Sequence, residues 1–183
     1  MVHFSGKSQL IDAEKIFQHL DLEEGQKIAD LGCGGTGHFT IPAARLVGKN
    51  GMVYAVDILR SLLKENARRA RMSGVNNIKT IWSNLEIYGA TKIPANNLDV
   101  AMLINTMFHS KQHDAIMKEA MRLTKKNGRI LVCDWKKAAS PIGPPTIDRV
   151  APQEIKIIAK SLDLKLIEEF SAGKYHYGLI FIK

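Results

Sequence analysis

Short apolar runs alternate with amphipathic helical stretches along almost the whole chain, and that alternation admits few folds. Residues 27–31, 52–57, 78–82, 98–104 and 129–134 read as strands, and residues 8–20, 40–47, 60–73, 111–125 and 152–162 read as helices. In the first helix Leu10, Ala13, Ile16, Phe17 and Leu20 recur at helical spacing, with Ser8 as the N-cap and Gly25 as the breaker. Pro42 suits the first turn of the second helix and Gly48 its stop. Gly74 ends the third, and Asn127-Gly128 the fourth. Met52–Val56 and Arg129–Cys133 have the continuous apolar character of strands buried on both faces of a parallel sheet. The helices between strands supply the crossovers. Only two final strands, over 164–170 and 177–182, lack a helix between them, so they are expected to pair antiparallel at one edge. Prolines keep 140–145 out of regular structure. The expected fold is α/β: one domain over residues 1–183 with a doubly wound, mostly parallel, seven-stranded sheet and an antiparallel last strand.

A chain of 183 residues fits one domain and needs no staple to hold a core. Its two cysteines, Cys33 and Cys133, are in no C-x-x-C spacing, which argues against a disulfide framework and a zinc site. No metal site is expected. No apolar run approaches the roughly 20 residues of a membrane span. The opening Met1–Lys7 stretch lacks the apolar core of a signal peptide, so a cytoplasmic location is expected. The net charge of +8 keeps phosphate-bearing partners in view. In the linear sequence, however, the cations are spread along helices, with no basic tail and no patch interleaved with aromatic residues.

The segment that carries chemistry is Asp30-Leu31-Gly32-Cys33-Gly34-Gly35-Thr36-Gly37. It holds G-x-G-x-x-G at Gly32, Gly34 and Gly37, between a strand and a helix, and Asp57 ends the next strand about 20 residues further on. Glycines let a ligand approach the backbone, and the later carboxylate can accept ribose hydroxyls. A nucleoside site follows. Asp30, two residues before Gly32, would repel a pyrophosphate and attract a cationic amino group. That favours S-adenosylmethionine, which carries an ammonium and a sulfonium, over a nicotinamide dinucleotide. A capping role for Asp30, through backbone N–H groups, is the alternative.

These residues, with Ala55-Val56-Asp57, closely resemble the signature of class I S-adenosylmethionine-dependent methyltransferases. Leu98-Asp99-Val100-Ala101 and Asn127–Val132 are similar to that family's fourth and fifth strands, and the last two strands to its terminal hairpin. The chain looks like the small branch similar to ubiquinone/menaquinone C-methyltransferases. The resemblance implies a Rossmann-like fold and a cofactor site in which Gly32, Cys33, Gly34 and Gly37 form the loop. It places Asp30 near the methionine ammonium, Asp57 on the ribose, Ile58 against adenine, and Asn105 near the transferred methyl. Asn84, with Leu85, stands where the family often has an acid, and its carbonyl oxygen could accept from the adenine amino group.

No covalent catalyst is required, because the cofactor already carries the activation. A base is needed only if the acceptor must lose a proton. His109 is the candidate, with Asp134 and Tyr175-His176-Tyr177 behind it; a cap is the alternative for Asp134 and an exposed hairpin for the tyrosine-flanked histidine. Met107, Phe108 and Trp135 suit either an apolar acceptor pocket or the core. The chain lacks the Asn/Asp-Pro-Pro-Tyr tetrapeptide of amino-methylating nucleic-acid enzymes and the thiols of arsenite methylation. A small-molecule acceptor is therefore the leading expectation. The alternatives are an RNA or protein acceptor on the same fold, a nicotinamide-dependent oxidoreductase, and a non-catalytic cofactor-binding module.

Overall fold

The structure is a computed structural model and describes residues 10–183. Its strands are β1 (Lys27–Leu31), β2 (Met52–Asp57), β3 (Ile78–Trp82), β4 (Leu98–Ile104), β5 (Thr124–Trp135), β6 (Lys165–Ser171) and β7 (His176–Ile182). Its helices are α1 (Ala13–Leu20), α2 (Thr40–Leu46), α3 (Arg60–Met72), α4 (His113–Leu123) and α5 (Pro152–Ser161). The strands form one sheet in the order β3-β2-β1-β4-β5-β7-β6. The pairs β1–β2, β1–β4, β2–β3 and β4–β5 are parallel. Only β7 runs against its neighbours, slotted between β5 and β6.

The two-residue period of the strands sorts the core into two layers. Ile28, Val53, Met102, Leu131 and Ile180 face α1 and α2, against Ile16, Phe17, Ile41 and Ala44. Leu31, Leu103, Val132, Leu179 and Phe181 face α4 and α5, against Met117, Ala120, Leu123 and Ile155. On the first of these faces the same period places Asp30, in step with Ile28, and Asp57, in step with Val53. The strand order reverses between β1 and β4, and at such a switch point the loops leaving the strand ends diverge into a crevice.

Several boundaries differ from expectation. The first helix starts at Ala13, with Asp12 as its cap accepting the Glu14 N–H at 3.0 Å; Ser8 and Met1–Lys7 lie outside the described residues. The helix stops at Leu20, because Asp21 turns left-handed, well before Gly25. The fourth helix is shorter than 111–125, and the chain passes directly from Leu123 into β5, where Thr124 pairs with Leu98. Left-handed Asn127 (φ 63°) makes an irregularity inside that strand rather than a helix stop. Beyond β5, residues 136–149 are organised by Arg149, which is 4% exposed. Its guanidinium donates to the carbonyl oxygens of Lys136, Ala138, Ile142 and Pro144. Arg149 thereby supplies the donors that the prolines in this stretch lack. Among the described residues no helix is long and apolar enough to cross a membrane.

Candidate active site

The crevice at the β1–β4 reversal is a cavity of about 420 Å³. Its wall brings together Gly32, Gly34, Asp57, Ile58, Asn84, Leu85, Asn105 and His109, all anticipated from the sequence. Leu59, Leu62, Ser83, Glu86, Thr106, Ser110 and Ile116 complete it and were not anticipated. Asp30, Cys33 and Gly37 lie off this wall, in the strand end and loop behind it.

The glycine loop is held by the sheet. Gly32 and Cys33 both donate to the Val56 carbonyl oxygen, at 2.8 and 3.0 Å. Gly34 donates to Asp57 Oδ2 at 3.0 Å, while Asp57 Oδ1 accepts from Leu59 at 2.9 Å. The backbone donors that a pyrophosphate would need at Gly32, Cys33 and Gly34 are therefore already engaged. Gly32 sits at φ +85°, and a Cβ there would lie 2.6 Å from Thr106 Oγ1, whose hydroxyl donates to the Leu31 carbonyl oxygen. Gly32→Ala is expected to lower stability by about 1–3 kcal/mol through left-handed strain alone, with the clash added; thermal unfolding measures it. At Gly34 (φ +60°) a Cβ would meet nothing within 4 Å, so the loop opens onto free space there.

Behind the loop runs a buried polar chain. Thr40 at the start of α2 donates to Asp30 Oδ2 at 2.6 Å, and Asn66 of α3 donates to Thr40 Oγ1 at 3.1 Å and to the Gly34 carbonyl oxygen at 3.3 Å. Asp30 is thus anchored by a hydroxyl, not by the backbone N–H groups of a capping role. Burial raises its pKa to about 6; the Thr40 hydrogen bond opposes the rise and the Asp57 charge adds to it. Among the described residues no Lys or Arg forms a salt bridge with Asp30 or Asp57. Among the described residues the cavity wall contains no Lys or Arg. Burial, then the Asp30 and Asp57 charges, push the Cys33 thiol far above its ordinary pKa, so it stays protonated and is no nucleophile.

At the opposite wall, Asn105 follows β4 in a left-handed conformation (φ 55°), and its N–H donates to the Cys133 carbonyl oxygen at 2.8 Å. Asn105 Oδ1 is buried without a hydrogen-bond partner among the described residues. Asn105 lines the cavity, so this unpaired oxygen sits beside a space that a ligand could fill. Asn84 Oδ1 accepts from the Glu86 N–H at 2.9 Å, leaving one lone pair for a ligand. The acid absent at Asn84 stands two residues later: Glu86, on the wall, accepts from the Ser110 hydroxyl at 2.6 Å and from the Gln112 amide at 3.2 Å. Ile58, 52% exposed, offers a bare apolar face.

His109 ends a short 3₁₀ turn, Met107–His109, exposed at the rim with its ring 3.8 Å from Phe108. Asp134 Oδ2 accepts from Met107 at 2.9 Å and from Phe108 at 3.4 Å, capping that turn, as the bland alternative had it. Burial raises Asp134 to about 6 against those N–H groups and that of Trp135. Met107 is wholly in the core, and Trp135 is buried beneath Gly143. His176 corrects the exposed-hairpin expectation: β7 starts there, paired with Trp135, and the side chain is buried with neither ring nitrogen partnered among the described residues. Burial, then the Lys136 and Arg149 charges, lower its pKa to about 4, so it is neutral near pH 7.

A methyltransferase-domain family profile matches residues 22–169. The ubiquinone/menaquinone biosynthesis C-methyltransferase of Shewanella sp. strain W3-18-1 is 31% identical over 144 residues, covering 76% of this chain and 56% of that protein. The chain thus spans little more than half the length of that relative. Among solved structures, a SAM-dependent methyltransferase from Aquifex aeolicus superposes with a TM-score of 0.86 at 24% identity, over 94% of this chain and 90% of its own. Geranyl diphosphate C-methyltransferase from Streptomyces coelicolor, in a complex that includes S-adenosyl-L-homocysteine, superposes with a TM-score of 0.73 at 14% identity, over 93% and 78%. The fold is the Rossmann-like one of methyltransferases. The chain belongs to the methyltransferase-domain family, as a class I S-adenosylmethionine-dependent methyltransferase. S-adenosylmethionine is the cofactor of that class, and, among the described residues, a cavity wall without Lys or Arg, two nearby carboxylates and the unpartnered Asn105 Oδ1 fit that group.

Proposed function

We propose that this chain transfers a methyl group to a small-molecule acceptor, and that the cavity between the Gly32–Gly34 loop and Asn105 holds the cofactor. One observation carries the cofactor placement: the first three loop N–H groups are bound by the protein itself, while two carboxylates stand by with no cation paired to them among the described residues. Such a site is matched to a cation and mismatched to a diphosphate. Asp57 holds the ribose with its remaining lone pairs, Ile58 packs on adenine, and Asn84, Leu85 and Glu86 read the adenine edge. Asp30 attracts the amino group from behind the loop, with Gly37 and Cys33 shaping the turn.

When bound, S-adenosylmethionine supplies a methyl group already activated on a sulfonium. The chain aligns and dries the reaction, and alignment can lower such a barrier by roughly 7–11 kcal/mol. Asn105 fixes the methyl end. His109, at the rim, accepts a proton where the acceptor must lose one. A small acceptor is supported by the size of the cavity, about 420 Å³ including the space the cofactor would take. The Shewanella relative, named for quinone biosynthesis, points the same way. Incubation with methyl-labelled cofactor and a cell extract tests this reading. Label in the small-molecule fraction is expected; label confined to RNA or protein would contradict it.

The raised pKa of Asp30 makes cofactor affinity pH-dependent. Protonation below about 6 removes the charge that attracts the ammonium, so affinity falls as pH falls. Expected behaviour is a plateau near pH 7 and a decline of up to about tenfold per unit below pH 6. Asp30→Asn should bind weakly with this decline removed. Calorimetry across pH 5–7.5 reads both effects.

A further inference from the structure

A second surface lies on the other side of α3. Arg60, Lys64, Arg68 and Arg71 line a groove of about 550 Å³ whose far wall is Thr80 and Trp82 of the edge strand β3. Steps of four, four and three residues keep these cations on one helical face, along about 16 Å. The Arg60 guanidinium lies 4.6 Å from the centre of the Trp82 ring. The ring remains 48% exposed, and its indole N–H donates to the Ile58 carbonyl oxygen at 2.8 Å. The helix carries five cations against one carboxylate, Glu65. Glu65 engages Arg68 at 2.7 Å and Arg69 at 2.8 Å. Among the described residues no carboxylate pairs with Arg60, Lys64 or Arg71. The sequence hides this patch, because Trp82 comes from a different element and joins the arginines only through the fold.

We propose that the groove between α3 and β3 binds a single-stranded phosphodiester chain, with Arg60, Lys64 and Arg71 on phosphates and Trp82 as a stacking platform for a base. Like charges held along one face repel each other, and an anion with regularly spaced charges relieves that. A ring set among guanidinium groups is the arrangement that binds unpaired bases without sequence preference. Lipid headgroups or an acidic peptide would meet the cations but leave the ring unused. The groove flanks Ile58, at the opposite side of the cavity from Asn105, so strand binding is separate from methyl acceptance and does not rest on the acceptor reading.

The test is fluorescence anisotropy with a labelled 15-nucleotide single-stranded RNA, its DNA counterpart, the matching duplex, and vesicles containing phosphatidylglycerol. Both single strands should bind and quench tryptophan emission, which reports on Trp82 because Trp135 is only 5% exposed. Three phosphate contacts give a slope of log affinity against log salt of about −2. Lys64→Glu should weaken binding at least tenfold, and Trp82→Ala at least fivefold. Arg69→Glu makes the same change in net charge off the stripe and should stay within about twofold of the parent. Equal loss in the Lys64 and Arg69 variants would overturn the proposal. So would strands that bind no better than the duplex, or binding to vesicles alone. A preference for RNA over DNA, or none, supports it either way and reports only whether the sugar is read.

Discussion

Asp57→Ala is expected to weaken S-adenosylhomocysteine binding by about a hundredfold. The side chain serves two ends of the cavity at once. Its oxygens accept from Gly34 and Leu59, fixing the glycine loop against the start of α3, and in the proposed binding mode their remaining lone pairs take the ribose hydroxyls. Hydrogen bonds to a charged group contribute about 1.5–3 kcal/mol each, and each 1.4 kcal/mol is tenfold in affinity. Loss of one strong ribose contact, together with a loosened loop, reaches the stated size. Asp57→Asn keeps an acceptor and should fall between parent and alanine variant. Calorimetry measures all three. Unchanged affinity in the alanine variant would mean that the ribose is held elsewhere.

Glu119→Ala is expected to lower folding stability by about 3–5 kcal/mol, the range for breaking a buried ion pair from one side. Glu119 is wholly buried in α4. It accepts from both Arg122 Nε and Nη2, and from the N–H groups of Gly89 and Thr91. Burial by itself would raise its pKa, but Arg122 and those loop donors outweigh it and bring the carboxyl down to about 2. A depressed carboxyl stabilises the fold above its ordinary pKa of 4.5 and loses that contribution as pH falls toward 2. The parent should therefore lose stability across that window, and the variant should show less of the decline. Thr91 Oγ1 lies 3.0 Å from Ser83 Oγ, so the same brace reaches the Ser83–Glu86 wall of the cavity. Weaker cofactor binding should accompany the lower melting temperature. Chemical and thermal denaturation across pH reads the stability terms.

The parts of this molecule legible in its sequence are those written locally. Apolar runs gave the strands, and the glycines with Asp57 gave the crevice, because both signals lie within a few residues of where they act. Element ends were harder. Asp12 replaces Ser8 as the first cap, and a strand begins at Thr124 where a helix was expected to run on. A cap or a strand pairing depends on a neighbour that local periodicity does not contain. The most hidden residues act across long separations. Thr40 and Asn66 reach Asp30 and Gly34 from two other helices. Arg149 looks like any surface arginine until its guanidinium is found among four carbonyl groups. His176 read as a hairpin residue because its neighbours are polar-tipped aromatics, yet pairing with Trp135 draws it beneath the surface. Glu86 alone had a usable cue: an acid just past Asn84, displaced by two positions from where the family resemblance places one.

The most direct test of the whole account is a pair of calorimetric titrations of the intact chain, one with S-adenosylmethionine and one with NADH. Saturable one-to-one binding of the sulfonium cofactor, with no heat from the dinucleotide, is the expected outcome. Saturable NADH binding that S-adenosylmethionine fails to displace would contradict it.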